Sequence, residues 1–280
     1  MSPAAVNGHG AYGLRLSGLG EEPAVRKALV RAPEHWPDVH LEQQIADPPK
    51  EPGAFTPDWA RIGLEGGGHV FADRRSRRVT FVSPQPVEAD VLLHPALSFV
   101  GAVYSKWLGR QAIHAGAFVV DGEACALIGV SWGGKSSTLG WLAQAGSQIL
   151  ADDLVVIDDG AAFAGPRTLD LKPASARYLG HEGDRVRGGG RRRLALDGVK
   201  AEMPLRFWIA LSWGDALEAR RIPPSERLGV LLEHLQLRLH GPGSGALLDL
   251  AALPAFELRR PRQISSLPQA GAKILELASA

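Results

Sequence analysis

The sequence predicts an α/β protein with a mixed sheet, and three observations predict it. Short apolar runs bounded by turn residues alternate with longer stretches whose apolar residues recur at helical spacing. Two of the apolar runs, Ala112–Val120 and Ala124–Ile128, are joined by Asp121-Gly122, the dipeptide that suits a type I′ hairpin because both central residues need positive φ. The second of these runs leads straight into a glycine-rich loop at Gly129, and a helical segment, Lys135–Ala145, follows it. Helices packed on a sheet are the layering such a pattern implies.

Residues 1–85 read as a small strand-rich N-terminal lobe, and residues 86–280 as the larger unit. In the lobe the expected strands are Tyr12–Leu16, Val39–Glu42, Arg61–Leu64, His69–Ala72 and Arg78–Val82. Turns are expected at Gly66-Gly67-Gly68 and Asp73–Arg77, and Pro48, Pro49, Pro52 and Pro57 mark a loop. In the larger unit, Leu93, Leu97, Val100, Val103 and Trp107 recur at helical spacing, which predicts a buried amphipathic helix over Val91–Leu108 that ends at Gly109. His94, Pro95, Ser98, Tyr104, Ser105 and Lys106 make the same segment too polar to span a membrane. Gly146 is the expected C′ residue after the Lys135–Ala145 helix. Gln148–Ile157 is the next strand, with Asp152 and Asp153 inside it and Asp158-Asp159-Gly160 as its turn. Beyond it lie a Gly/Arg loop (Arg185–Arg193), strands near Phe207–Ser212 and Leu217–Arg220, and a helix near Ser225–Leu239. A loop at Gly241–Gly245, a strand at Phe256–Arg259 and a helix at Pro268–Leu277 complete the chain.

Composition narrows the function. A length of 280 residues allows one large core with an appended lobe. The net charge of +1 offers no electrostatic case for nucleic acid or an anionic membrane as partner. Cys125 is the only cysteine, which rules out an intramolecular disulfide and agrees with a cytoplasmic location. The first twenty residues lack a basic segment followed by an apolar run, so no signal peptide is expected. The nine histidines show no metal-ligand spacing.

The strongest chemical signal is Gly129-Val-Ser-Trp-Gly-Gly-Lys-Ser136, which fits G-x-x-x-x-G-K-[ST] between an apolar strand and a helix. The glycines let backbone N–H groups turn inward as a phosphate cradle. Lys135 would reach the β- and γ-phosphates, Ser136 would ligate Mg²⁺, and the helix would present its positive end. The expected nucleotide contacts are Gly129, Ser131, Trp132, Gly133, Gly134, Lys135, Ser136 and Ser137, with Arg167 a further candidate. Asp152 and Asp153 stand together in an apolar strand, where carboxylates are costly unless paired, hydrated or metal-bound. Adjacent strand residues point to opposite faces, so the two share a site only if the strand bends. One could hold Mg²⁺ and the other accept the proton of an attacking hydroxyl; the alternative is a structural pair. His114, on the first hairpin strand, lies at the end that carries the loop. The arginines of Arg185–Arg193 suit a loop that closes on phosphates, with no single one singled out. Arg259, Arg260 and Arg262 read as a solvated edge, and Cys125 as an inert core thiol.

The order His114-Ala-Gly, a hairpin through Asp121-Gly122, the phosphate loop, a helix ending at Gly146 and then Leu150-Ala-Asp-Asp153 resembles the catalytic core of HPr kinase/phosphorylase. It is closer still to the HPr-kinase-related kinases found beside lasso-peptide biosynthesis genes, and Ala164–Lys172 and Trp208–Gly214 share in the likeness, which runs from about Leu92 to Leu258. The resemblance implies a P-loop kinase core shared with phosphoenolpyruvate carboxykinase, not with Ras-like proteins. It implies ATP and Mg²⁺ as cofactors and a serine hydroxyl as acceptor. His114 would support the catalytic acid, Asp153 or Asp152 would be the base, and Asp170 stands where the family has a metal-binding Glu. The expected catalytic set is Asp153, Asp152, His114 and Lys135, and the expected metal set is Ser136, Asp152 and Asp170. A modified peptide with a C-terminal serine is the expected partner; a homo-oligomer is left open. Two other readings stand beside it: a small-molecule kinase, and a nucleotide sensor without chemistry.

Overall fold

The computed structural model describes residues 8–48, 53–64, 67–181, 183–186, 190–235 and 244–279. The first eight strands are β1 (His9–Ala11), β2 (Leu14–Gly18), β3 (Val30–Arg31), β4 (Asp38–Ile45), β5 (Ala54–Phe55), β6 (Trp59–Leu64), β7 (Gly68–Asp73) and β8 (Arg78–Ser83). They make one sheet in the order β3-β1-β2-β4-β8-β7-β6-β5. The alternation of Val70 and Ala72 on β7, and of Val79 and Phe81 on β8, sets their buried face. Strands β1, β3 and β5 were not legible in the sequence, since each has only two or three residues. A 3-10 turn at Leu19–Glu21 and a four-residue helix, α1 (Pro23–Arg26), connect β2 to β3. Glu65 and Gly66, and Pro49 to Pro52, lie outside the described residues.

The predicted helix over Val91–Leu108 is divided. A short α2 (Ala89–Val91) meets a widened turn at Leu92–Ala96, and α3 runs over Leu97–Trp107. His94 is extended, at φ −155 and ψ 126. Pro95 explains the break, because its ring disfavours the helical region for the residue before it and removes a backbone donor. Gly109 follows α3 at φ 79, as expected of a helix stop.

The second sheet holds the remaining machinery. Its strands are β9 (Gln111–Ile113), β10 (Ala115–Val120), β11 (Glu123–Ile128), β12 (Ile149–Ala151), β13 (Val155–Asp158) and β14 (Ala161–Phe163), with β18 (Glu202–Trp213), β19 (Glu218–Arg221) and β20 (Ala255–Arg260). Strands β15 (Thr168–Leu171), β16 (Asp184–Arg185) and β17 (Arg192–Ala195) form a separate three-stranded sheet. Asp121 and Gly122 take φ 52 and φ 80, the two positive values a type I′ hairpin needs. Helix α4 (Lys135–Gln144) ends in a Schellman motif: Ser147 N–H donates to Leu142 O, and Gly146 N–H, at φ 93, donates to Ala143 O. Helices α5 (Pro173–Tyr178), α6 (Pro224–Glu233), α7 (Ser244–Ala252) and α8 (Leu267–Ser279) follow. Residues 236–243 of the expected Ser225–Leu239 helix and Gly241–Gly245 loop lie outside the described residues, and α7 begins within the stretch read as loop. The architecture is thus α/β with several sheets, mixed in strand direction. Among the described residues no helix is long and apolar enough to cross a membrane.

Candidate active site

Four strands of the second sheet end at one edge, and each delivers part of a cleft. Strand β10 is antiparallel to both β11 and β12, while β18 is parallel to β11 and β20 is parallel to β18. β11, β12, β18 and β20 therefore share one direction. β11 runs into the glycine-rich loop, β12 into Asp152 and Asp153, and β18 and β20 end at Trp213 and Arg260. β10 starts at the same edge, and His114 is the residue just before it. The crevice beyond the carboxyl ends of parallel strands is where α/β folds place ligands. Here it holds a cleft of about 420 Å³, lined by Ser131 to Ser137, His114, Asp152, Asp153 and Asp170.

The opening that admits these side chains is a break in strand pairing. Ala117 faces Ala151 in the β10–β12 ladder, and Ile113 faces Val155 in the β9–β13 ladder. These two flanking pairs share one register, and the strands part between them. The strands expected over Ala112–Val120 and Gln148–Ile157 are therefore each broken, at His114 and at Asp152–Leu154. Leu154 N–H donates to Asp152 O at 2.8 Å, closing a three-residue turn with Asp153 at its centre and φ 69. That turn brings both carboxylates into one cleft, which a regular strand forbids. His114 N–H donates to His234 O at 2.8 Å, on the side of the strand away from the gap.

His114 closes on this turn. Its Nδ1 lies 3.0 Å from Asp153 O and 3.3 Å from Asp153 Oδ1. The carbonyl only accepts, so Nδ1 carries the proton and Nε2 of the neutral ring is left as acceptor. Burial, helped by nearby Lys135, lowers the His114 pKa and favours that neutral form. A second imidazole, unforeseen in the sequence, approaches from the break before Pro95: His94 Nδ1 is 3.8 Å from Asp153 Oδ2. The only sequence signal for it is a His-Pro inside a helical pattern.

In the glycine-rich loop, Trp132 and Gly134 take φ 69 and φ 86, and α4 starts at Lys135. Lys135 is buried, and its Nζ donates to Gly129 O at 2.7 Å and to Val130 O at 3.3 Å. Burial lowers its pKa, against the pull of Asp153 and Asp152. Ser136 Oγ donates to Asp152 Oδ1 at 3.0 Å. Asp152 is pushed up to about 6, by burial first and by the neighbouring Asp153 carboxylate second. Ser137 Oγ is bonded to Ser175 Oγ at 2.7 Å. Trp132 is 70 % exposed, with Lys172 Nζ 2.8 Å above its ring.

Three expectations meet a different placement. Arg167 is buried, does not line the cleft and donates to the carbonyls of Ile149, Leu150 and Asp197, so it braces β12. Asp170 lines the cleft, but both its oxygens accept from Arg193, at 2.7 Å each, and Arg193 also reaches Asp90 Oδ1 at 2.9 Å. Arg260 is no solvated edge: it is 3 % exposed and lines the cleft with Arg262, Lys172 and Arg191. Of the arginine–glycine loop, Arg191 lines the cleft and Arg193 holds Asp170, while Arg187, Gly188 and Gly189 lie outside the described residues. Trp213, Arg260 and Arg262 went unread as site residues because one-residue strand ends carry no spacing signal.

No family model and no curated protein matches the chain. A solved structure of the HPr(Ser) kinase/phosphatase from Coxiella burnetii is similar at 13% identity and a TM-score of 0.31, over 60% of this chain and 92% of that one. At that score the likeness bears on neither fold nor function.

Proposed function

We propose that the chain is an ATP- and Mg²⁺-dependent phosphotransferase acting on a hydroxyl, of the HPr-kinase-like type that its sequence resembles. The observation that carries this reading is the convergence at one edge of a P-loop and a carboxylate pair presented in a strand opening, with His114 on the carboxylate turn. A nucleotide sensor needs the first and has no use for the second. The donor set suits Mg²⁺: hard oxygens of Ser136 and Asp152 stand 3.0 Å apart, and the raised Asp152 marks a charge that a cation would neutralise. Bound there, Mg²⁺ supplies charge neutralisation at the β- and γ-phosphates.

The chain's own groups do the rest. The loop N–H groups cradle the phosphates, and Lys135 exchanges its two loop carbonyls for phosphate oxygens. Asp153, oriented by His114 and His94, takes the proton of the attacking hydroxyl, and Ser136 and Asp152 hold the metal side. Asp170 acts through Arg193, fixing the strand pair β15–β17 beside the cleft. The acceptor in this reading is a serine at or near the C-terminus of a peptide, as in a lasso-peptide precursor, because a flexible terminus reaches the cleft more easily than a folded surface. Incubation with ATP, Mg²⁺ and such a peptide should add one phosphate by mass spectrometry, and serine→alanine in the peptide should abolish it. Asp153→Asn should lower the rate by about 10²–10⁴ with nucleotide affinity kept, and Lys135→Ala should abolish transfer and weaken ATP binding. Transfer to a sugar or metabolite with none to peptides would replace the acceptor class; ATP binding without transfer to any acceptor would sink the reading.

A further inference from the structure

We propose that Trp213 and Arg260 form the nucleoside end of the nucleotide site, the base lying on the Trp213–Arg260 stack and the α-phosphate beside the Arg260 guanidinium. The inference rests on the phosphotransferase reading and assigns a direction to the nucleotide within it. At the functional edge the strand order is β12, β10, β11, β18, β20. Neighbouring strands are about 4.8 Å apart, so the acidic pair lies roughly 10 Å to one side of the P-loop strand and Arg260 roughly 10 Å to the other. The γ-phosphate belongs at the acidic end, where a base and a metal site can act on it. With the β-phosphate in the loop, the remainder of the nucleotide must run toward β18 and β20.

What waits there is shaped for it. The Arg260 guanidinium carbon lies 4.4 Å from the Trp213 ring centroid, and that of Arg262 lies 6.0 Å away. Arg260 Nη1 is held by Ser266 Oγ at 3.0 Å, whereas its buried Nε has no hydrogen-bond partner. A buried guanidinium N–H left unbonded is costly, and because Arg260 lines the cleft, an anion there would offset the burial of its charge. Ile264, 37 % exposed, adds an apolar surface to the same wall. An indole paired with a guanidinium is a flat, cationic platform of the kind on which nucleobases stack.

A plainer role would be bracing. A Cβ at Gly134 would collide with Arg260 Nη2 and meet Trp213 Cη2 at 3.1 Å, so the pair also abuts the phosphate loop. Tripolyphosphate separates the two roles, because it carries the phosphates without the nucleoside. Calorimetry with Mg²⁺ should measure ATP and tripolyphosphate binding to the wild type, Trp213→Ala, Trp213→Leu and Trp213→Phe. Loss of the indole in the Ala and Leu variants should weaken ATP by on the order of tenfold to a hundredfold and leave tripolyphosphate unchanged. Trp213→Phe, which keeps a π-face, should retain most of the preference. Leu also keeps an apolar wall at Gly134, so its result stands if the Ala variant fails to fold. Equal weakening of both ligands, or no change in either, overturns the nucleoside assignment, and loss of both ligands in Lys135→Ala would then show that the P-loop reading survives. A wild type that binds neither ligand overturns both.

Discussion

At Asp153 the chain sits at φ 69, in the centre of a three-residue turn, a conformation that costs an L-residue with a Cβ about 1–2 kcal/mol. Its carboxylate also crowds Asp152. Strain at such a point is expected where chemistry needs two carboxylates on one side of a strand. The consequence is a trade between stability and activity. Asp153→Gly should be at least as stable as the wild type in urea titration, Asp153→Ala should be about 1 kcal/mol less stable than the Gly variant, and neither should transfer phosphate. A less stable Gly variant would mean that the contacts with His114 and His94 outweigh the turn. Asp152 gives a pH test with a definite sign. Its folded pKa, near 6, lies above the ordinary carboxylate value, so the folded state binds the extra proton and the ionised form opposes folding. That penalty is full above about pH 6 and is relieved as pH falls toward 4. Asp152→Asn should therefore raise the melting temperature of the unliganded protein at pH 7, and the gain should shrink toward zero at pH 4.5. A gain that is equal at both pH values would place its cause outside this titration.

Elements with a local chemical signature were legible in the sequence. The Asp121-Gly122 hairpin, the loop-to-helix junction and the Gly146 helix stop each depend on residues within a few positions, and all three stand where expected. Elements set by distant neighbours were not. The opening at His114 and Asp152–Asp153 exists because β9 and β10 part from β13 and β12 at one level, and no single-strand pattern records that. Arg260 looked solvent-facing in a run of arginines and became buried because β20 docks between β18 and β19. Arg167 looked like a phosphate ligand from its Gly-Pro-Arg context, and its burial beneath β12 turns it to backbone carbonyls instead. The loop-to-helix junction also carries a prediction. Gly134 caps α4 at φ 86, and the space for its missing Cβ is filled by Arg260 and Trp213, with Arg260 anchored on Ser266. Gly134→Ala should cost roughly 1–3 kcal/mol of stability, from the left-handed backbone and from displacing a clamped side chain. It should also weaken ATP at least tenfold by tilting the first N–H groups of α4 away from the phosphates. Unchanged ATP affinity by calorimetry would show that Arg260 yields without disturbing the cradle.

Across the whole molecule, the first sheet and the second share one hydrophobic core that runs from Ala11 to Ala255. Helix α3 is the common element. Trp107 stacks on Phe55 at 5.7 Å and donates its Nε1–H to Thr56 O, Tyr104 donates its hydroxyl to Asp73 O, and Tyr12 packs against the bare backbone of Gly101. Further ties lead toward the site: Arg110 donates to Gly13 O, Trp36 donates to Glu202, and Arg167 N–H donates to Ala28 O. Tyr12 also lines a small recess with His94, Asp152 and Asp170, directly behind the acidic pair. The N-terminal lobe is thus packed against the unit that carries the cleft, through a shared core and the Tyr12 recess. Removing residues 1–85 would expose Tyr104, Trp107 and the apolar face of α3, each large side chain worth roughly 1.5–3 kcal/mol of burial. A few such losses equal the whole stability of a domain, about 5–15 kcal/mol. A chain of residues 86–280 should accordingly show no cooperative thermal transition by circular dichroism. The full chain should unfold in a single step, with far-UV and tryptophan-fluorescence curves that coincide and that move together to higher temperature with ATP and Mg²⁺. Two separated transitions in the full chain, or a truncated chain that melts cooperatively and binds ATP, would divide the molecule at the lobe boundary after all and leave Tyr12 a bystander to the site.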